Sequence, residues 1–153
     1  MHQQNPSPRF QNALTENTAA ILRCHESNYK ITGFTSSPDT ADLAELAHRN
    51  GALFIDDAGS GCLINTEQFG IGHEHTLQEA VAAGADVVMA SGVKLIGGPQ
   101  AGIILGKKEI IAALKAPTRL ARVLRIDKLL AGLNTTLKLY GNDDWKTSHP
   151  LWE

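Results

Sequence analysis

The chain has 153 residues, enough for one modest domain that buries roughly 68–70% of its unfolded surface. Its 42% hydrophobic and 20% charged content is ordinary for a soluble globular protein. The net charge of −2 excludes a general electrostatic pull toward nucleic acid, while leaving room for a local basic patch. Cys24 and Cys62 lie far apart without a C-x-x-C, which speaks against a zinc or redox pair and fits two thiols in an intracellular protein. No apolar run approaches the ~18–20 residues of a membrane span. Met1 to Pro8 is polar and is not expected to be a signal peptide, so the cytoplasm is the expected compartment.

In chain order, residues 1–9 read as a disordered or irregular lead-in, rich in polar residues and proline. Ala19 to Cys24 is a short apolar run that predicts a buried strand. Gly33 to Pro38 is loop-like. A helix follows, with Ser37 or Asp39 as cap, Leu43, Leu46 and Ala47 on one face, and Gly51 as a left-handed stop. Ala52 to Ile55 is the next strand, ending at Asp56-Asp57-Ala58-Gly59-Ser60-Gly61. Thr76 to Ala83 is a second helix, with Thr76 and Glu79 in capping-box spacing and Gly84 as terminator. Asp86 to Ala90 is a strand running into Ser91-Gly92-Val93-Lys94, and Gly102 to Leu105 is a fourth. Lys108 to Lys115 and Asp127 to Tyr140 read as helices, the latter closed by Gly141, before a polar tail with both tryptophans, Trp145 and Trp152.

This alternation predicts an α/β domain with a mostly parallel sheet flanked by helices. In such sheets ligands sit at the carboxyl ends of strands. Two strands here end in chemically loaded segments. Lys94 follows one of them in a stretch with no other charge, flanked by glycines that permit close backbone approach to a ligand. A lysine that carries an electrophile must be neutral part of the time or be trapped by a cofactor as an imine. Ser91, three residues earlier, has a hydroxyl able to donate to a cofactor phosphate. By itself Ser-x-x-Lys equally describes a solvated loop lysine. An aspartate at the end of a neighbouring strand can keep a pyridine nitrogen protonated, and Asp56 or Asp57 fits that place. Their side chains should point to opposite faces, so at most one reaches a ring. His73-Glu74-His75 reads as polar surface rather than a metal site. Lys107 and Lys108, at a helix start, read as solvated.

The segment Ser91-Gly92-Val93-Lys94-Leu95-Ile96-Gly97-Gly98-Pro99-Gln100-Ala101-Gly102-Ile103-Ile104 closely resembles the lysine segment of the bacterial selenocysteine synthase family, the L-seryl-tRNA(Sec) selenium transferases. Asp56 to Gly61, Thr15 to Thr18, His25 to Tyr29 and Arg122 to Lys128 resemble it too, in the family's order. The resemblance implies part of the large domain of a fold-type I pyridoxal-phosphate transferase, over residues 10–141. Residues 142–153 would then be a truncated linker toward a C-terminal domain. It implies Lys94 as the Schiff-base lysine, Asp56 or else Asp57 on the pyridine nitrogen, and Ser91 on the phosphate. Asn28 would contact the ring oxygen or shape a turn. Arg122 and Arg125 would bind selenophosphate, for whose oxygens forked guanidinium contacts are suited. The implied reaction converts seryl-tRNA(Sec) to selenocysteinyl-tRNA(Sec) through an aminoacrylyl intermediate, in a homo-oligomer without membrane contact. Two departures stand out. Val93 replaces an aspartate that the family carries before the lysine, and the family's N-terminal, glycine-loop and C-terminal parts lack counterparts here. A related pyridoxal-phosphate lyase acting on a small amino acid or amino sugar, and a catalytically incompetent fragment, are the alternatives.

Overall fold

The computed structural model describes residues 8–26, 33, 37–115, 127–142, 145–149 and 151–152. Helix α1 (Pro8–Ala13) opens it, so helical structure starts inside the expected lead-in. Proline suits a first helical turn, where its missing N–H would have no partner anyway. Strand β1 (Ala20–Cys24) and helix α2 (Thr40–Arg49) follow. Asp39 caps α2 by accepting from the Ala41 N–H at 2.8 Å, and Gly51 takes the left-handed φ of 69° that ends it.

Strand β2 spans Leu53–Gly59 and so runs through both aspartates instead of stopping before them. A charge is tolerated there because Arg23 is the cross-strand neighbour of Asp56 and pairs with it. A 3-10 turn (Thr66–Phe69) leads to helix α3 (Leu77–Ala82), which starts with the full Thr76–Glu79 capping box. Strands β3 (Val87–Ser91) and β4 (Gly102–Gly106), then helices α4 (Lys108–Lys115), α5 (Asp127–Gly141) and α6 (Trp145–Ser148), complete the described chain.

The sheet order is β1-β2-β3-β4, with the first three strands parallel and β4 antiparallel to β3. The segment from Ser91 to Gly102 contains no helix, and a parallel return would need a crossover of a dozen or more residues. Helices α2 and α3 cover one face, where Phe54, Leu43, Ala47, Ala80 and Val88 form the core. Strand alternation puts Leu22, Leu53, Asp57, Met89 and Ile104 on the other face. Leu22, Leu53 and Ile104 remain 55%, 39% and 41% exposed there.

Asp86, almost fully buried, joins the elements at the edge opposite the strand ends that carry chemistry. The Phe54 N–H donates to its Oδ2 at 2.7 Å, His48 Nε2 lies 2.9 Å from the same oxygen, and Lys107 pairs with Oδ1. Lys107 is therefore an anchor and not merely a solvated helix-start lysine. Burial alone would raise the Asp86 carboxyl, but the Lys107, Phe54 and His48 contacts outweigh it and hold it below its ordinary value of 3.8. A depressed folded-state value means that the unfolded chain binds more protons, so stability is lost as pH falls. The melting temperature should be level above about pH 5 and should drop as pH falls through 3.8 and below. Asp86→Asn should melt lower at neutral pH and show a shallower acid slope.

Candidate active site

Lys94 sits in the loop between β3 and β4, and that loop is closed by its own backbone. Gly92 N–H donates to Ala101 O at 2.8 Å, Gly98 N–H to Gly92 O at 2.8 Å, and Gly97 N–H to Lys94 O at 2.8 Å. Leu95 N–H donates to Ser60 O at 3.0 Å, tying the loop to the segment after β2. Gly61 makes this approach possible, because a Cβ there would meet Ser91 O at 2.5 Å and its φ is +69°. Gly61 is thus required by close packing of the two strand-end loops, while Gly92 packs against Pro99 O and Ala101 within the lysine loop itself.

Lys94, Ser91 and Asp57 line one cleft of about 840 Å³, with Met89, Gln100 and Ile104 among its other walls. That volume lies within the usual range for small-molecule sites, roughly 300–1,000 Å³. The cleft opens at the carboxyl ends of β2 and β3, on the face that the helices leave uncovered. One oxygen of Asp57 accepts from Gly59 N–H at 3.1 Å, which fixes the direction of the carboxylate. Ser91 Oγ is 3.4 Å from Val93 N–H. Val93 is 47% exposed.

Asp56 points the other way and is 0% exposed. Arg23 Nη1 donates to both of its oxygens at 2.9 and 3.1 Å, and His75 Nε2 lies 3.1 Å from Oδ2. Burial pushes its carboxyl up, but the His75 hydrogen bond and the Arg23 guanidinium more than offset this and hold it below its ordinary value. The opposite-face expectation therefore holds, and Asp57 is the member of the pair that shares the cleft with Lys94. His75 is mostly buried beside Asp56, and His25 lies 3.5 Å from Glu74, so the His73-Glu74-His75 segment is partly interior and not simply polar surface. Among the described residues no group of His, Cys, Asp and Glu side chains is arranged to hold a metal ion. Asn28, Arg122 and Arg125 lie outside the described residues.

The residues that line the cleft bring a primary amine from the β3–β4 loop and a carboxylate and a hydroxyl from the ends of β2 and β3. This set matches what an aldehyde-bearing, pyridine-containing phosphate ester requires: an amine for the carbonyl, an acid partner for the ring nitrogen, a hydroxyl for the phosphate. The family model for L-seryl-tRNA selenium transferase matches residues 6–150. The chain belongs to the L-seryl-tRNA selenium transferase family. It is 47% identical over 141 residues to the L-seryl-tRNA(Sec) selenium transferase of Alkaliphilus metalliredigens (strain QYMF), covering 92% of this chain and 30% of that protein. With the enzyme of the same name from Haemophilus influenzae (strain ATCC 51907 / DSM 11121 / KW20 / Rd) it is 51% identical over 136 residues, covering 88% and 29%. The chain thus spans about 30% of the length of these family members.

Among solved structures, D-glucosaminate-6-phosphate ammonia-lyase superposes with a TM-score of 0.66 at 31% identity, covering 88% of this chain and 32% of that one. Apo CalE6, a methionine gamma lyase from Micromonospora echinospora, gives 0.62 at 21% identity, covering 88% and 34%, and shows the fold alone. The architecture is that of part of a fold-type I large domain, α/β with a mostly parallel sheet flanked by helices. The family's enzymes carry the function class, and among the described residues no helix is long and apolar enough to cross a membrane.

The sequence did not mark the contribution of the C-terminal segment. Tyr140 OH lies 3.1 Å from both Leu95 O and Ile96 O, and His149 Nε2 lies 2.9 Å from Ile96 O. The signal available was the concentration of Trp145, His149 and Trp152 in a short tail that otherwise reads as polar.

Proposed function

We propose that this chain is the central cofactor-binding segment of an L-seryl-tRNA(Sec) selenium transferase, which converts seryl-tRNA(Sec) to selenocysteinyl-tRNA(Sec) with selenophosphate. The observation that carries this reading is the meeting of Lys94, Asp57 and Ser91 in one cleft of a chain from that family. Lys94 would hold pyridoxal phosphate covalently, Asp57 would keep a proton on its ring nitrogen, and Ser91 would donate to its phosphate. When bound, that cofactor supplies an electron sink for the substrate α-carbon, which lets a β-hydroxyl leave. Lys94 Nζ would move the α-proton. Lys94 lines the cleft from a loop whose backbone is held by hydrogen bonds, so little backbone ordering would remain on binding. Arg122 and Arg125 are the proposed contacts for selenophosphate and Asn28 for the ring oxygen, both from the family resemblance. The complete enzyme is proposed to act as a homo-oligomer.

A lyase acting on an amino sugar phosphate is the second reading, favoured by the ammonia-lyase structure at 31% identity. The selenium transferases at 47–51% identity support the first reading more strongly. Splicing residues 10–141 of this chain into the full-length Haemophilus influenzae relative separates them. The chimera should form selenocysteinyl-tRNA(Sec) from seryl-tRNA(Sec) and selenophosphate. Val93→Asp in the chimera should raise the rate by about a hundredfold, the low end of what a positioned acid–base group contributes. A chimera with or without Val93→Asp that leaves seryl-tRNA(Sec) unchanged, yet releases ammonia from an amino sugar phosphate, would favour the lyase.

A further inference from the structure

Outside the lining of the cleft, the C-terminal segment makes a dense set of contacts to two carbonyls of the Lys94 loop. Trp152 Nε1 donates to Tyr140 Oη at 2.8 Å, and the Tyr140 hydroxyl in turn donates toward Leu95 O and Ile96 O, each 3.1 Å away. Leu151 N–H lies 3.3 Å from His149 Nδ1, so that nitrogen must accept, and the ring proton sits on Nε2, which donates to Ile96 O at 2.9 Å. His149 and Ile96 are 2% and 0% exposed. Gly97 has a φ of +67°, and a Cβ there would run into the His149 ring. Phe69 stacks on Trp152 at 5.1 Å and meets Trp145 edge-on at 6.1 Å, which fastens the segment to the body of the domain.

Leu95 and Ile96 are the two residues immediately after Lys94, and Gly97 closes the turn back onto the Lys94 carbonyl. Their carbonyls are therefore backbone groups within two residues of the lysine that the C-terminal segment holds. We propose that Tyr140 and His149, held by Trp152 and Leu151, are positioning residues for Lys94. By fixing the Leu95 and Ile96 carbonyls they set the point at which the Lys94 amine enters the cleft. This inference rests on the reading of Lys94 as the cofactor-bearing lysine. Buried hydrogen bonds of this kind restrict a loop to one arrangement when every member is satisfied, as here. A loop that samples several arrangements presents its amine in the productive one for only a fraction of the time, and apparent affinity falls by that fraction.

The test uses the whole chain as wild type, Tyr140→Phe, His149→Ala and His149→Gln. Pyridoxal phosphate is titrated against each, following the Lys94-dependent visible absorbance. Amide hydrogen exchange at Leu95 and Gly97 is measured without cofactor, and far-ultraviolet circular dichroism checks the fold. Tyr140→Phe and His149→Ala should keep native secondary structure, exchange these amides faster, and bind pyridoxal phosphate about tenfold more weakly, the loss of one net hydrogen bond. His149→Gln, whose amide can still donate to Ile96 O, should recover most of that loss. Faster exchange with wild-type cofactor affinity in both variants would overturn the positioning role while leaving the tail contacts intact. A wild-type chain with no absorbance dependent on Lys94 would overturn the cofactor reading, and the positioning role with it.

Discussion

Lys94→Ala should abolish the visible absorbance that develops when pyridoxal phosphate is added to this chain. The reason is specific to one amine. Eight lysines occur in the sequence, and any exposed amine condenses weakly and reversibly with an aldehyde. Among the described residues, Lys94 is the lysine that shares a cleft with the Asp57 carboxylate and the Ser91 hydroxyl. Its loop is closed by the Gly98–Gly92 hydrogen bond and held by further contacts to Ser60, Ala101, Tyr140 and His149. Such preorganisation lowers the entropy lost on attachment and separates Lys94 from lysines that lie on helix surfaces. Asp57→Asn should leave attachment possible but weaken it, because a neutral amide does not favour a proton on a pyridine nitrogen. A Lys94→Ala chain that develops the wild-type absorbance would assign the signal to other lysines.

The second large effect separates the two aspartates by stability. Asp56→Ala should destabilise the chain by about 3 kcal/mol, within the range for removing one partner of a buried pair and toward its low end because Arg23 keeps some solvent contact. For a chain of this size that corresponds to a fall in melting temperature of roughly 6–12 °C. The loss combines an Arg23 guanidinium left without its forked partner, a His75 ring without its acceptor, and a cavity where the carboxylate stood. Asp57→Ala should cost less than about 1 kcal/mol, since its side chain makes one local hydrogen bond to Gly59 at the edge of an open cleft. Thermal melts of the two variants at neutral pH check this. Equal losses, or a larger loss for Asp57→Ala, would reverse the assignment of structural and site carboxylates.

This division shows which features were legible in the sequence. Helix ends were, because their signals are local: the Asp39 cap, the Thr76–Glu79 capping box and the left-handed Gly51 appear where the spacing predicts them. So was the alternation of side chains that sends Asp56 and Asp57 to opposite faces. Which of the two faces the cleft was not legible, because that depends on which side α2 and α3 cover. The continuation of β2 through two acidic residues was hidden for a similar reason. It is stabilised by Arg23, 33 residues earlier, and His75, 19 residues later, and neither marks itself as a partner of Asp56 locally. The tail read only as polar, because nothing local in the sequence ties His149 and Trp152 to Tyr140, and the fold alone brings the three together at Leu95 and Ile96. The reversed direction of β4 follows from a helix-free connection, a feature visible once both strands are placed.

Borohydride reduction of the chain in the presence of pyridoxal phosphate, followed by peptide mapping, tests most directly whether Lys94 and Asp57 form a cofactor site. Reduction fixes the attached group on whichever amine carries it. At low molar excess the expected result is label on Lys94 as the predominant site in the wild type, and a marked loss of that label in Asp57→Ala but not in a folded Asp56 variant such as Asp56→Asn. Label spread over Lys107, Lys108 and Lys138 in proportion to their exposure, with no preference for Lys94, would contradict it.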